Sequence, residues 1–225
     1  YTNRWTRACA IYALGFEKDL DSYDELIANL FHPDPLLHET SAWAIYKHNP
    51  AIYKKIEERL PKDNIRNIEK AIEKVFLQTE LALMPLRIEK TMFLKDIDFL
   101  QEVPSDIVSE LVELVEEKNY AAGTTIISQG DVYCEIPISV VARGRVEVLK
   151  DGQMTDAFNQ REIFGHLYLG DNQMFDYTLI AKEDTLIYEI DKDLFYGMIQ
   201  KNHEFARAFI EAVAQDLTPT AIKTK

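Results

Sequence analysis

The chain has 225 residues, 47% of them hydrophobic, with a formal net charge of -13 and a pI near 4.9. That length supports one full core and a second, smaller one, while the acidic balance excludes a surface built for nucleic-acid phosphates or anionic lipid, both of which need clustered Lys and Arg. The two cysteines, Cys9 and Cys134, lie far apart in apolar segments, which excludes a disulfide framework and fits a reducing, cytoplasmic setting.

From Asn3 to Leu60 apolar residues recur at three- and four-residue steps. Breaks at Gly15, at His32-Pro33-Asp34-Pro35 and at Asn49-Pro50 predict four helices of about ten residues, arranged as two pairs. Arg7 to Gly15 is echoed about 32 residues on by Glu39 to Lys47, with Ala10 over Ala42. Ala8, Ala10, Ala13, Ala42 and Ala44 let helices approach closely, and Trp5, Leu14, Trp43 and Ile45 fill the spaces between them. The pattern resembles HEAT repeats, including an Asp-Pro turn leading into an Ala-rich helix. Such solenoids need about three repeats, so a chain opening at Tyr1 is expected to be a piece of something longer.

Asp63 to Thr79 reads as a charged amphipathic helix with Ile65, Ile68, Ile72, Val75 and Phe76 on one face. After Pro85 a helical stretch runs from Leu86 to Leu94, and Pro104-Ser105-Asp106 begins another with Ile107, Leu111, Leu114 and Val115 as its stripe. Glu110, Glu113, Glu116 and Glu117 are read as the solvated face of that helix, a surface able to meet a basic partner. Beyond Asn119 the periodicity changes. Short β-branched runs cover Thr124 to Ile127, Ile136 to Ala142, Arg145 to Leu149, Met154 to Phe158, Tyr177 to Ala181 and Thr185 to Ile190. Turns at Gln129-Gly130-Asp131, Arg143-Gly144, Asp151-Gly152 and Glu183-Asp184 separate them, as in a sandwich or roll. Helix returns at the end: Asp191 is a candidate cap for Leu194 to Gln200, and Asn202 for His203 to Leu217.

Within this region Ile163 to Ala181 has the outline of a phosphate-cradling loop: a Phe-Gly turn leaving a strand, a short Leu-rich turn, a polar loop from Gly170 to Gln173, and a resumed strand. It resembles the phosphate-binding cassette of cyclic-nucleotide-binding domains, which reads Phe-Gly-Glu-Leu and, further on, Arg followed by small residues. Phe164, Gly165 and Leu167 match, as do Thr178, Leu179, Ile180 and Ala181. His166 stands at the Glu position, Phe175 at the Arg position, and Asp176 and Tyr177 at the small positions. Further matches are Tyr120-Ala121-Ala122-Gly123, Gly130-Asp131 and Arg143-Gly144-Arg145-Val146, so the resemblance covers residues 86 to 217.

The resemblance implies an α+β chain. A HEAT-like helical region with a connecting helix occupies residues 1–80, and a cyclic-nucleotide-binding-like domain occupies 81–225, its jelly-roll-like β-roll at about 120–190 and its C-terminal helices at 191–217. It implies a ligand site at Phe164, Gly165, His166, Leu167, Phe175, Asp176, Tyr177 and Thr178. In the family the Arg pairs with the cyclic phosphate, a task for which bidentate guanidinium geometry is suited and phenylalanine is not. Backbone N–H groups after Gly165 and a hydrogen bond from His166 would remain, with Arg161 and Lys182 as flanking cations and Asp171 and Asp176 opposing an anion. Cyclic AMP or cyclic GMP is therefore not expected as a bound cofactor.

His32, His38 and His48 lack metal-ligand spacing, and no Gly-x-Ser-x-Gly elbow, Walker loop or dinucleotide loop occurs. No metal and no enzyme activity are expected. Only Thr218 to Lys225 follow the last predicted helix, so a helix-turn-helix and a DNA partner are not expected either. The opening Trp5-Thr6-Arg7-Ala8-Cys9-Ala10, ahead of such a roll, is similar to cytoplasmic tails of bacterial nucleotide-exchange-type transporters, although no apolar run here reaches the roughly 18 residues of a membrane span. The reading is a non-catalytic regulatory or scaffold module acting on attached or partner domains, with a homodimer as a further expectation. The alternative is a functional sensor of cyclic nucleotide or another small ligand.

Overall fold

A computed structural model describes residues 3–17, 23–76, 86–133, 136–165 and 173–216. The chain divides into two compact units, residues 1–93 and 94–225.

The first unit is helical: α1 (Arg4–Leu14), α2 (Asp24–Leu30), α3 (Pro35–His48), α4 (Pro50–Ile56) and α5 (Lys62–Phe76), then the start of α6 (Arg87–Lys95). The helix starts follow local chemistry. Oδ1 of Asn3, Asp34 and Asn49 accepts from the backbone N–H of Thr6, Leu36 and Ala51, and Pro35 and Pro50 occupy first-turn positions where no N–H is needed. The central element is α3, buried continuously from Leu36 to Ile45 and packed on α1, α2, α4 and α5. Ala8, Ala42, Ala44, Trp43 and Ile45 are in this core as expected, but Ala13 and Leu14 lie at the solvent-exposed end of α1.

Within α3, Glu39 is 2% exposed and accepts from both the backbone N–H and the guanidinium of Arg87. Burial pushes its carboxyl above the ordinary range, while Arg87 and Lys90 pull it back. Nearby, Tyr12 OH donates to Glu89 Oε1 at 2.9 Å.

The second unit opens with the end of α6, a 3-10 turn at Asp98–Leu100 and α7 (Ser105–Val112). The Lys95 ammonium donates to the carbonyls of Leu100, Gln101 and Val103 and so closes that turn. Among the described residues the strands that follow are β1 (Val115–Tyr120), β2 (Thr125–Ile127), β3 (Val132–Tyr133), β4 (Ile138–Arg143), β5 (Val146–Lys150), β6 (Gln153–Phe158), β7 (Ile163–Phe164), β8 (Gln173–Met174), β9 (Thr178–Ala181) and β10 (Thr185–Ile190). They form antiparallel sheets ordered β1-β10-β4-β7 and β2-β9-β5-β6, with β3-β8 as a two-stranded ribbon.

Ile127, Ile136, Val141, Val146, Val148, Phe164, Phe175, Leu179 and Ile187 make up the roll's core. The roll is closed by α8 (Lys192–Lys201) and α9 (His203–Asp216). Phe195 lies edge-on to Phe205 and Phe209, and Phe99 meets the same two rings. Asp191 caps α8 through Asp193 N–H and Leu194 N–H. Asn202, expected to cap α9, turns its side-chain amide back to the Met198 carbonyl.

The sequence reading of 110–117 as one helix face needs correction. The helix ends at Val112, and Glu116 and Glu117 belong to β1, which pairs with β10 from Val115↔Ile190 to Tyr120↔Thr185. Hydrogen bonding to a partner some seventy residues away in sequence overrides a weak local helical pattern.

Candidate functional site

β7 pairs with β4 through Ser139↔Phe164 and Val140↔Ile163, which delivers the chain to Gly165. There φ is +87°, and a Cβ would stand 2.2 Å from the Pro137 carbonyl oxygen, so only glycine fits. His166 and Leu167 lie outside the described residues. The return strand β8 pairs with β3 in the register Val132↔Met174. Phe175 then continues this ladder: its N–H donates to the Asp131 carbonyl and its own carbonyl accepts from Gly130 N–H.

The Phe175 side chain is 4% exposed and packs in the same core cluster as Phe164. Asp176 is exposed. Tyr177 is half-buried against that cluster, and the Lys150 ammonium lies 5.3 Å from its ring centroid, a cation–π distance. Thr178 starts β9, and its Oγ1 accepts from Gln129 N–H at 3.1 Å. Lys150 had no role in the sequence reading, since its approach to Tyr177 depends on the pairing of β5 with β9.

The two flanking cations have other partners. Arg161, held at φ +74°, pairs with Asp96 at 2.9 Å. Lys182 pairs with Glu147 at 3.0 Å. Lys182 also lies at the other end of β9 from Tyr177, where an open cleft of about 480 Å³ is lined by Ala122, Arg143, Gly144, Lys182, Glu183 and Asp184. The register explains the separation. β7 meets β4 at Ser139 and Val140, near the start of β4, whereas the cleft borders Arg143 and Gly144 at its end. That cleft mixes charges, and one of its carboxylates, Asp184, already accepts from Ala122 N–H.

No group of three or more His, Cys, Asp or Glu able to hold a metal occurs among the described residues, and no helix among them is long and apolar enough to cross a membrane. Charge is divided unevenly between the units. Residues 1–93 carry 13 Lys and Arg against 14 Asp and Glu, and residues 94–225 carry 12 against 24.

Residues 117–202 match the family model described as cyclic nucleotide-binding domain. No curated protein matches the chain. Among solved structures, the sensor domain of the transcriptional regulator DNR from Pseudomonas aeruginosa aligns with 63% of this chain and 97% of its own, with a TM-score of 0.52 and 16% identity. The regulatory subunit of a cAMP-independent protein kinase A from Trypanosoma brucei aligns with 71% of this chain and 54% of its own, with a TM-score of 0.50 and 17% identity. These likenesses are to the fold, an antiparallel β-roll with flanking helices.

Proposed function

We propose that this chain is a non-catalytic regulatory or scaffold module, the cytoplasmic part of a larger bacterial protein. In this reading its β-roll does not take cyclic AMP or cyclic GMP, and its helical unit is a HEAT-like platform for attached or partner domains. The observation that carries the reading is the Phe175 ring, buried at the position where the resembled cassette needs an Arg. A cyclic phosphate entering there would meet hydrocarbon. Losing a buried charged partner costs about 2 to 5 kcal/mol, roughly thirtyfold to several thousandfold in affinity.

Three further observations support the reading. The next residue, Asp176, is an exposed carboxylate. Arg161 and Lys182 are paired with Asp96 and Glu147. The unit as a whole has twice as many acidic as basic residues, a field that opposes anion entry. The Trypanosoma brucei neighbour, the regulatory subunit of a cAMP-independent protein kinase A, is a precedent for this fold in a regulatory subunit of a cAMP-independent kinase. Sparse cysteine use agrees with the cytoplasm.

Calorimetric titration of the full chain with cyclic AMP and cyclic GMP tests the proposal. The expected result is no saturable heat at micromolar ligand. Micromolar binding of either nucleotide overturns it in favour of a cyclic-nucleotide sensor.

A further inference from the structure

The β3-β8 ribbon is built inside out for a ligand-binding cassette. Val132 and Met174 are directly opposed in register, and opposed residues of an antiparallel pair point to the same face. Their exposures are 62% and 61%, among the highest of the large apolar side chains. The ladder runs on through the bonds between Phe175 and residues 130 and 131. Strand alternation therefore turns Phe175 inward and brings exposed Asp176 back to the outer side beside Met174. Asp131 is opposed to Phe175 rather than to Met174, so only Asp176 shares the face of the apolar pair. The result is an apolar pair beside one carboxylate. Nearby, Gln129 exchanges two hydrogen bonds with Asp151, which fixes the β2–β3 turn against the β5–β6 turn and gives the face a firm border.

Charge decides what can cover this face. A second copy would set Asp176 against its own counterpart, on a unit with 24 acidic and 12 basic residues. Anionic lipid and nucleic acid are repelled by the same field. A segment carrying both apolar and basic side chains satisfies both halves of the surface, and methionine is well suited to such contacts because its unbranched thioether adapts to different shapes.

We propose that the Val132–Met174 face docks a basic amphipathic segment of a partner protein: an apolar side chain covers Met174, and a Lys or Arg head meets Asp176. This names a partner class for the interaction module proposed above and rests on that reading. A face this small fits a weak, transient complex.

The test uses the full chain with methyl-labelled methionine and a short amphipathic Lys/Leu peptide, followed by fluorescence polarisation and methyl NMR. The Met174 methyl resonance is expected to shift on titration while that of buried Met198 stays in place. Met174→Asp and Asp176→Lys, both at exposed positions, are each expected to weaken binding by about tenfold with unchanged melting temperature. Glu183→Lys, at the far end of β9, and a peptide with Glu in place of Lys act as controls: the first should leave affinity unchanged and the second should fail to bind. Equal weakening by Glu183→Lys would reduce the effect to diffuse charge and overturn the proposal. So would indifference to Met174→Asp, or a Met174 shift caused by self-association without peptide. Cyclic-nucleotide binding in the calorimeter would sink the ligand-silent reading and leave these outcomes untouched.

Discussion

The helical unit, with 13 basic and 14 acidic residues, takes an ion pair into its interior, whereas the roll unit, with 12 and 24, builds its core cluster wholly from aliphatic and aromatic side chains. In the first, Glu39 and Arg87 give up hydration to fix one geometry, tying the start of α6 to α3. In the second, the core cluster is filled by volume, and buried Lys192 lies outside that cluster. An interior that uses charge can specify a partner for charge, and one that uses only volume cannot. The difference moves the search for recognition on the roll from its interior to its surface.

The sharpest way to break this contrast is to disturb each interior by its own currency. Phe175→Ala removes an aromatic ring from a close-packed cluster and is expected to cost about 3 to 5 kcal/mol, measured by urea denaturation. Little effect would mean that the ring fills no essential space and that the roll's interior tolerates a cavity. Arg87→Met leaves the Glu39 carboxylate buried without its guanidinium and is expected to cost about 3 kcal/mol, the low end for such pairs, because Lys90 still faces it. The two variants should differ in pH dependence. Burial already raises the Glu39 carboxyl, so its protonated form is favoured in the folded state. Stability from such a group is present below the ordinary carboxylate value and is lost as pH rises through the raised one. Without Arg87 the loss is larger, so the Arg87→Met defect should shrink on acidification while the Phe175→Ala defect stays constant.

Much of this architecture was legible because turns and caps act locally. Asp34-Pro35, Asn49-Pro50 and Asp191 begin helices for reasons contained within a few residues, and Gly165 marks a left-handed turn that its neighbours alone suggest. The replacement of Arg by Phe175 was visible as a change of chemistry. The ring's place in the roll core follows strand alternation through β8, a two-residue strand. The same brevity hid the exposure of Val132 and Met174. β1 was misread because Glu116, Glu117 and Lys118 carry no apolar alternation, and only pairing with β10 makes them a strand. Glu39 sits among Ala and Trp residues with no local sign of Arg87, 48 positions away.

The smallest expected effect tests how much a half-buried charge on the roll contributes to folding. Tyr120 OH donates to Glu189 Oε1 at 3.0 Å across the β1–β10 pair. Burial raises the Glu189 carboxyl, with Tyr120 and Lys118 opposing the rise, and burial followed by Glu189 pushes Tyr120 up to about 12. Tyr120→Phe removes one half-buried hydrogen bond and should cost about 0.5 to 1.5 kcal/mol near neutral pH. Two slopes then separate the variants. Below the ordinary carboxylate value Glu189 is protonated and no longer needs its donor, so the gap should narrow toward acid pH. At the alkaline end, a tyrosine held neutral by the fold contributes stability below its ordinary value of 10.0 and loses it as pH rises toward 12. Phenylalanine has no such loss, so the gap should narrow there as well. A gap largest near neutrality and smaller at both extremes assigns the contribution to this one bond. A gap flat across the range would show that Tyr120 acts through packing rather than through this bond.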